Sequence, residues 1–243
     1  MLKAVFFDVY NTLARFWPAT EEIQESVGRS MGLPVTREGL VRGYAIADEL
    51  FNAENSRTPL ATRTPQERDA FFAEYERRIL SGAGVEVSLQ RALAVWREVS
   101  LVPKSLALFD DVLPALDTLK GLGLTLGVIS NIRRDLLAQL EHSGLFLRLD
   151  VVVLSQEVGV QKPAPGIFVV ALERAGVQSS EALYVGDQYQ TDALGARAAG
   201  LHAALLDRRG AYLHVTDCPR TSGMAELVAL VRDGAFTSRR GSC

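Results

Sequence analysis

From residue 124 onward the chain repeats one unit, a short and continuously apolar run followed by a longer stretch with apolar residues at helical spacing. The runs are LTLGVIS (124–130), DVVVLS (150–155), ALYVGD (182–187) and HAALLD (202–207). None alternates apolar with polar, so a strand built from any of them is buried on both faces. A parallel sheet with helices packed on each side is the arrangement that does this. The connecting stretches RRDLLAQLEHSGL, PGIFVVALERAGV and DALGARAAG read as helices, and Gly176 offers a stop for the second. Upstream, DVLPALDTLKGLG predicts one more helix that ends in glycine. The opening LKAVFFD has the same unbroken apolar character and is predicted to be a central strand.

Residues 15 to 103 break this rhythm. Their periodicity predicts several helices (ATEEIQESVGRSMG, TREGLVRGYAIADELFNAEN, TPQERDAFFAEYERRIL, SLQRALAVWREV) and no convincing strand. Thr64 followed by Pro65 is a strong helix start, and NSRTPLATRTPQ (55–66) reads as a loop. The predicted fold class is therefore α/β: a doubly wound, parallel-sheet, Rossmann-like core from residues 1–14 and 104–243, with an inserted all-helical domain over 15–103.

Composition narrows the function. The net charge is −3 with no long basic run, which argues against nucleic acid or an anionic membrane as partner. No apolar run approaches the about 18 residues of a membrane span. Cys218 and Cys243 are the two cysteines, and His142, His202 and His214 are scattered, so zinc spacing is absent and a reducing, cytoplasmic setting is expected. Length and composition leave monomer and homodimer equally open.

In open α/β sheets ligands bind beyond the carboxyl ends of the strands. The first strand ends in Asp8, with Thr12 shortly after; the 124–130 strand ends in Ser130 and Asn131. Lys162 follows the third strand, and Gly186–Asp187 closes the fourth, with Asp192 behind it. Lys162, the Ser130 hydroxyl and helix N-terminal amides suit an anion. Asp8 and Asp187 are hard oxygen ligands of the kind Mg²⁺ takes. A small anionic substrate is the expected partner.

Four segments in order, DVYNT, SN after an apolar strand, KPAPGIF and GDQYQTDALGARAAG, make the chain resemble the haloacid dehalogenase superfamily of hydrolases, in the branch with a helical cap inserted after the first motif. Its most similar subgroup is the one typified by haloacid dehalogenase-like hydrolase domain-containing protein 3. The resemblance implies Asp8 as nucleophile, Thr12 and Ser130 holding substrate oxygens, Asn131 flanking Ser130, and Lys162 neutralising charge. It further implies Mg²⁺ held by Asp8, Asp187 and the main-chain carbonyl of Tyr10, with Asp192 supporting that shell. Arg42 in the cap offers itself to a substrate anion, although a solvated helix face is the plainer reading.

Tyr10 departs from the pattern. Phosphatases of this superfamily carry a second aspartate there as acid and base, whereas its 2-haloacid dehalogenases carry tyrosine. Halide leaves as an anion and needs no proton, so Tyr10 alone favours a metal-independent 2-haloacid dehalogenase. Asp187 argues the other way, because those dehalogenases use no metal and an anionic haloacid gains nothing from another carboxylate. The resulting expectation is a Mg²⁺-dependent hydrolase of small phosphorylated metabolites acting through an aspartyl-phosphate. The dehalogenase and a binding protein that has lost hydrolysis stand as alternatives.

Overall fold

The structure is a computed structural model that describes residues 1–236; Cys243 lies outside the described residues. The chain divides into two compact units, Met1–Arg15 with Leu106–Cys243, and Phe16–Ser105.

The first unit is built on a six-stranded sheet. Its strands are β1 (Ala4–Phe7), β4 (Thr125–Ser130), β5 (Val151–Leu154), β6 (Ala182–Gly186), β7 (His202–Leu206) and β8 (Arg220–Thr221); the intervening β2 (Ala14–Trp17) and β3 (Ser105–Leu108) form a separate two-stranded sheet. The large sheet runs β5-β4-β1-β6-β7-β8 and all its pairings are parallel. β1 lies between β4 and β6, with Phe7 opposite both Val128 and Val185. That register brings Asp8, Ser130 and Gly186 to one edge of the sheet. All four residues of β1 are buried, as a central parallel strand requires. Phe6, Ile129, Val153, Phe168 and Tyr184 belong to one core on a face of this sheet.

Several details differ from the sequence expectation. The segment read as strand-free from residue 15 begins within β2, and β3 was not anticipated; each is four residues long, too short for a two-residue period to register. The helix expected over 133–145 is α-helical only over Arg134–Leu137 and tightens into 3₁₀ turns over Ala138–Ser143. The expected loop at 55–66 is shorter, because one helix runs to Arg57 and the next starts at Pro65. That start is a full capping box: the Thr64 hydroxyl accepts from the Glu67 amide while the Glu67 carboxylate accepts from Thr64.

The second unit packs four long helices, Thr20–Ser30, Arg37–Arg57, Pro65–Gly82 and Leu89–Leu101. The second and third approach backbone to backbone, since a Cβ on Gly43 would lie 2.0 Å from the Ile79 carbonyl oxygen. The Phe72 and Trp96 rings stack at 4.2 Å between the third and fourth. No helix among the described residues is long and apolar enough to cross a membrane.

One acid lies inside this helical core. Glu76 is fully buried; its Oε1 accepts a hydrogen bond from the Gln24 amide, and Gln24 in turn accepts from the Tyr44 hydroxyl at 3.2 Å. Its Oε2 has no partner among the described residues. Burial, only partly offset by Gln24, pushes the Glu76 carboxyl up to about 8 from an ordinary 4.5. The folded protein thus keeps a proton that the unfolded chain gives up near 4.5. The stability this represents is complete below that pH and drains away as pH rises to about 8, at up to about 1.4 kcal/mol per pH unit. Both tryptophans, Trp17 and Trp96, lie in this unit, so urea unfolding followed by fluorescence reads it directly. Glu76→Gln is expected to flatten the pH dependence between those limits; slopes identical to wild type would contradict the assignment.

Candidate active site

Asp8 follows β1 directly, and its amide continues the ladder by donating to the Val185 carbonyl at 2.9 Å. The next turn is tight: Asn11 has φ +60° and its amide donates to Ala14 at 2.7 Å. Asparagine tolerates this left-handed conformation better than most non-glycine residues. Thr12 is fully buried, yet its hydroxyl has no hydrogen-bond partner among the described residues. A buried hydroxyl in that condition has capacity for a ligand oxygen.

Five side chains meet beyond the sheet edge. Asp8 Oδ1 accepts from the Ser130 hydroxyl at 2.8 Å and from Lys162 Nζ at 2.6 Å. The same ammonium donates to Asp192 Oδ1 at 2.6 Å and to the Tyr184 hydroxyl at 2.7 Å. Asn131 clips the Lys162 segment to the end of β4: its Oδ1 accepts from the Lys162 amide at 2.9 Å and its Nδ2 donates to the Lys162 carbonyl at 3.1 Å. Asp192 comes from a π-helical turn, Tyr189–Leu194, rather than the start of an α-helix as the sequence suggested. In that wide turn the Gln188 amide reaches back to Asp192 Oδ2 at 3.0 Å. Single π-turns recur at functional sites.

Burial alone would lower the Lys162 pKa, but the adjoining charges of Asp192 and Asp8 more than reverse this and hold the ammonium protonated. Asp192 is itself pushed up by burial, with Lys162 opposing the shift. Asp8, Asp187 and Asp192 each offer an oxygen, all within 4.8 Å of one another. Asp8 and Asp192 share the Lys162 ammonium, and Asp187 brings a third carboxylate beside them. A hard-oxygen set of this kind fits a divalent cation such as Mg²⁺, with Asp8 and Asp187 as the residues that would hold it.

The remaining expected residues fall as follows. Tyr10 is half-buried in the turn and bridges to Ala14. Arg42 belongs to the helical unit, where it pairs with Glu38 at 2.9 Å on an exposed face. Two contributors were missed. Arg208, after β7, donates to the Thr12 carbonyl at 3.2 Å, grips Asp111 through both terminal nitrogens at 2.8 and 2.9 Å, and lies 4.0 Å above the Phe109 ring. It ties the Asp8–Thr12 turn to the framework. Tyr184 reads in sequence as one more apolar residue of a buried strand, with nothing to mark its hydroxyl as part of the site.

Comparison with known proteins agrees with this geometry. Residues 2–200 match the model of the haloacid dehalogenase-like hydrolases. The haloacid dehalogenase-like hydrolase domain-containing protein 3 of Danio rerio is 38% identical over 117 residues, a match spanning 48% of each chain, so the matched segment covers about half of that relative. The glyceraldehyde 3-phosphate phosphatase of Methanopyrus kandleri is 32% identical over 87% of this chain and 86% of its own. Among solved structures, the 2-haloacid dehalogenase of Pseudomonas syringae pv. Tomato shares the fold with TM-score 0.56 and 24% identity, over 96% of this chain and all of that one. The chain belongs to the haloacid dehalogenase-like hydrolase family.

Gly186 marks how tightly the site is built. A Cβ there would sit 2.3 Å from the Asp192 carboxyl carbon, so alanine must displace the carboxylate that holds Lys162. Gly186→Ala is expected to cost about 1–3 kcal/mol of stability. Gly166→Ala, whose Cβ would meet only Val160 at 3.4 Å, should be neutral or gain up to about 1 kcal/mol of helix propensity. Chemical denaturation of both variants checks this, and equal stabilities would count against it.

Proposed function

We propose that this hydrolase is a Mg²⁺-dependent phosphatase of small phosphorylated metabolites that works through a covalent intermediate on Asp8. The observation that carries the reading is the carboxylate cluster beyond the sheet: Asp8, Asp187 and Asp192 converge within 4.8 Å, a hard-oxygen set of the kind a divalent cation takes. A cation held by that set would offset the negative charge of a phosphate ester beside Asp8. The 32% identity over most of the chain with a glyceraldehyde 3-phosphate phosphatase supports the same class.

In this reading an Asp8 carboxylate oxygen attacks phosphorus and the ester P–O bond breaks, with the electron pair leaving on the alcohol oxygen. Water then attacks the phosphorus of the aspartyl-phosphate, freeing inorganic phosphate and restoring Asp8. Lys162 spreads positive charge over the nucleophile and the transferring group. The unpartnered Thr12 hydroxyl and that of Ser130 hold phosphoryl oxygens, Asn131 keeps Ser130 and the Lys162 segment in register, and Asp192 orients Lys162. Mg²⁺, when held by Asp8, Asp187 and the Tyr10 carbonyl, supplies further positive charge to the phosphoryl oxygens. The direct test is a panel of phosphorylated metabolites and 2-haloacids assayed with magnesium and with chelator. Phosphate release that requires magnesium and is lost in Asp187→Ala is expected; chelator-resistant halide release would establish the dehalogenase instead.

Tyr10 favours that second reading, and it shapes the first. A phenol titrates near ~10, so at neutral pH it can donate a proton but activates water poorly. Aryl phosphates, whose leaving oxygens need little protonation, are therefore expected to turn over faster than alkyl phosphates. Tyr10→Asp should raise alkyl phosphate hydrolysis toward the ~10²–10⁴-fold that general acid/base help supplies. Steady-state rates for one aryl and one alkyl ester under saturating magnesium measure this. Fast wild-type hydrolysis of the alkyl ester, slowed by Tyr10→Asp, would show that another group carries the proton.

A further inference from the structure

An ammonium group has three N–H donors and no acceptor. Lys162 spends all three on fixed oxygens: Asp8 Oδ1 at 2.6 Å, Asp192 Oδ1 at 2.6 Å and the Tyr184 hydroxyl at 2.7 Å. The first two are charged partners. The third is a neutral phenol that the catalytic reading has not used.

Tyr184 has one proton to give. Its oxygen lies 2.9 Å from the Ile129 carbonyl and 3.2 Å from Asp192 Oδ1. The shorter contact takes the proton, because Asp192 Oδ1 is already served by Lys162. With the proton committed to the main chain of β4, one residue before Ser130, the phenol oxygen presents a lone pair to the ammonium. The ring is held from several sides: Tyr184 is fully buried, sits opposite Phe6 in the sheet and meets the Phe168 ring edge-on at 5.1 Å and 88°.

We propose that Tyr184 is a positioning residue: its hydroxyl fixes the rotation of the Lys162 ammonium so that one N–H stays aimed at Asp8 Oδ1. Without that acceptor a buried N–H is left unsatisfied, and the ammonium turns or tilts toward Asp192. Positive charge is then withdrawn from the nucleophile and from the phosphoryl group it attacks. As a role in catalysis this rests on the phosphatase reading, whereas the hydrogen-bonded state of the ammonium does not.

Tyr184→Phe isolates the hydroxyl, since the ring, its contact with Phe168 and its place 5.3 Å from the ammonium are all retained. Lys162 is one of four lysines in the chain, with Lys3, Lys104 and Lys120, so ¹⁵N-lysine labelling gives a simple spectrum in which Lys162→Met assigns the signal. In the wild type the Lys162 ammonium should show a resolved resonance with slow proton exchange. In Tyr184→Phe that exchange should quicken by roughly tenfold or more, the scale of one lost hydrogen bond to a charged group. With an aryl phosphate and saturating magnesium, kcat should fall by roughly ten- to a hundredfold while KM and the magnesium midpoint stay nearly unchanged. Phe168→Leu, which disturbs the packing but keeps the hydroxyl, should retain the protected signal.

An unprotected ammonium in the wild type, or equal exchange in wild type and Tyr184→Phe, overturns the proposal. So does the same loss in Phe168→Leu, which would trace the effect to packing. Faster exchange with unchanged kcat overturns the catalytic part. A wild type inactive toward every phosphate ester would overturn the phosphatase reading instead, and the exchange measurement, made without substrate, would still decide the state of Lys162.

Discussion

The buried ammonium of Lys162 is the interaction around which the candidate site is organised. A lone cation at almost complete burial is strongly disfavoured. Here it is tolerated because Asp8 and Asp192 each approach to 2.6 Å and a phenol takes the third donor. Removing either carboxylate would leave one of the ammonium's three donors without its acceptor. The same contacts join β1, the loop after β5, the end of β6 and the π-turn that follows it, so the site's geometry and the cohesion of the sheet edge depend on the same few atoms. Gly186 follows from this constraint, since no side chain fits between its backbone and Asp192.

Lys162 is shared by Asp8 and Asp192, and Asp187 lies beside them as a third hard oxygen donor. Family membership permits both phosphoryl and halide chemistry, and the fold does not choose between them, because fold is shared across functions. The choice rests on particular residues: Asp187 pulls toward phosphate and Tyr10 toward halide. In the phosphatase reading Tyr10 would act on proton transfer to the leaving oxygen and to water, while Asp187 would act on whether a cation is held at all. For that reason the carboxylate carries more weight.

Much of the sheet was legible in the sequence. The unbroken apolar runs at 124–130, 150–155, 182–187 and 202–207 each end within a residue or so of a parallel strand. Burial on both faces leaves a signature that survives without knowledge of neighbours. The Thr64–Pro65 start was equally plain, because a cap is a local device. What escaped was non-local or short. β2 and β3 are four residues each and pair only with one another. The π-turn at Tyr189–Leu194 depends on where Asp192 must point rather than on any periodicity. Polar residues at strand ends announced Asp8, Ser130 and Asp187 as candidates, but Tyr184 and Arg208 act through hydrogen bonds to carbonyls, and no residue pattern along the chain encodes those.

Rapid-quench peptide mapping of Asp8 addresses the covalent chemistry most directly. The enzyme would be mixed with an aryl phosphate, quenched in acid within the first turnovers, and the peptide spanning FFDVYNTL analysed by mass. With magnesium present, a phosphoryl adduct should appear on Asp8, build up because Tyr10 activates water slowly, and be absent with chelator or in Asp8→Asn. Turnover of the phosphate ester without any adduct on Asp8, or an ester adduct on Asp8 formed from a 2-haloacid in the presence of chelator, would contradict the account.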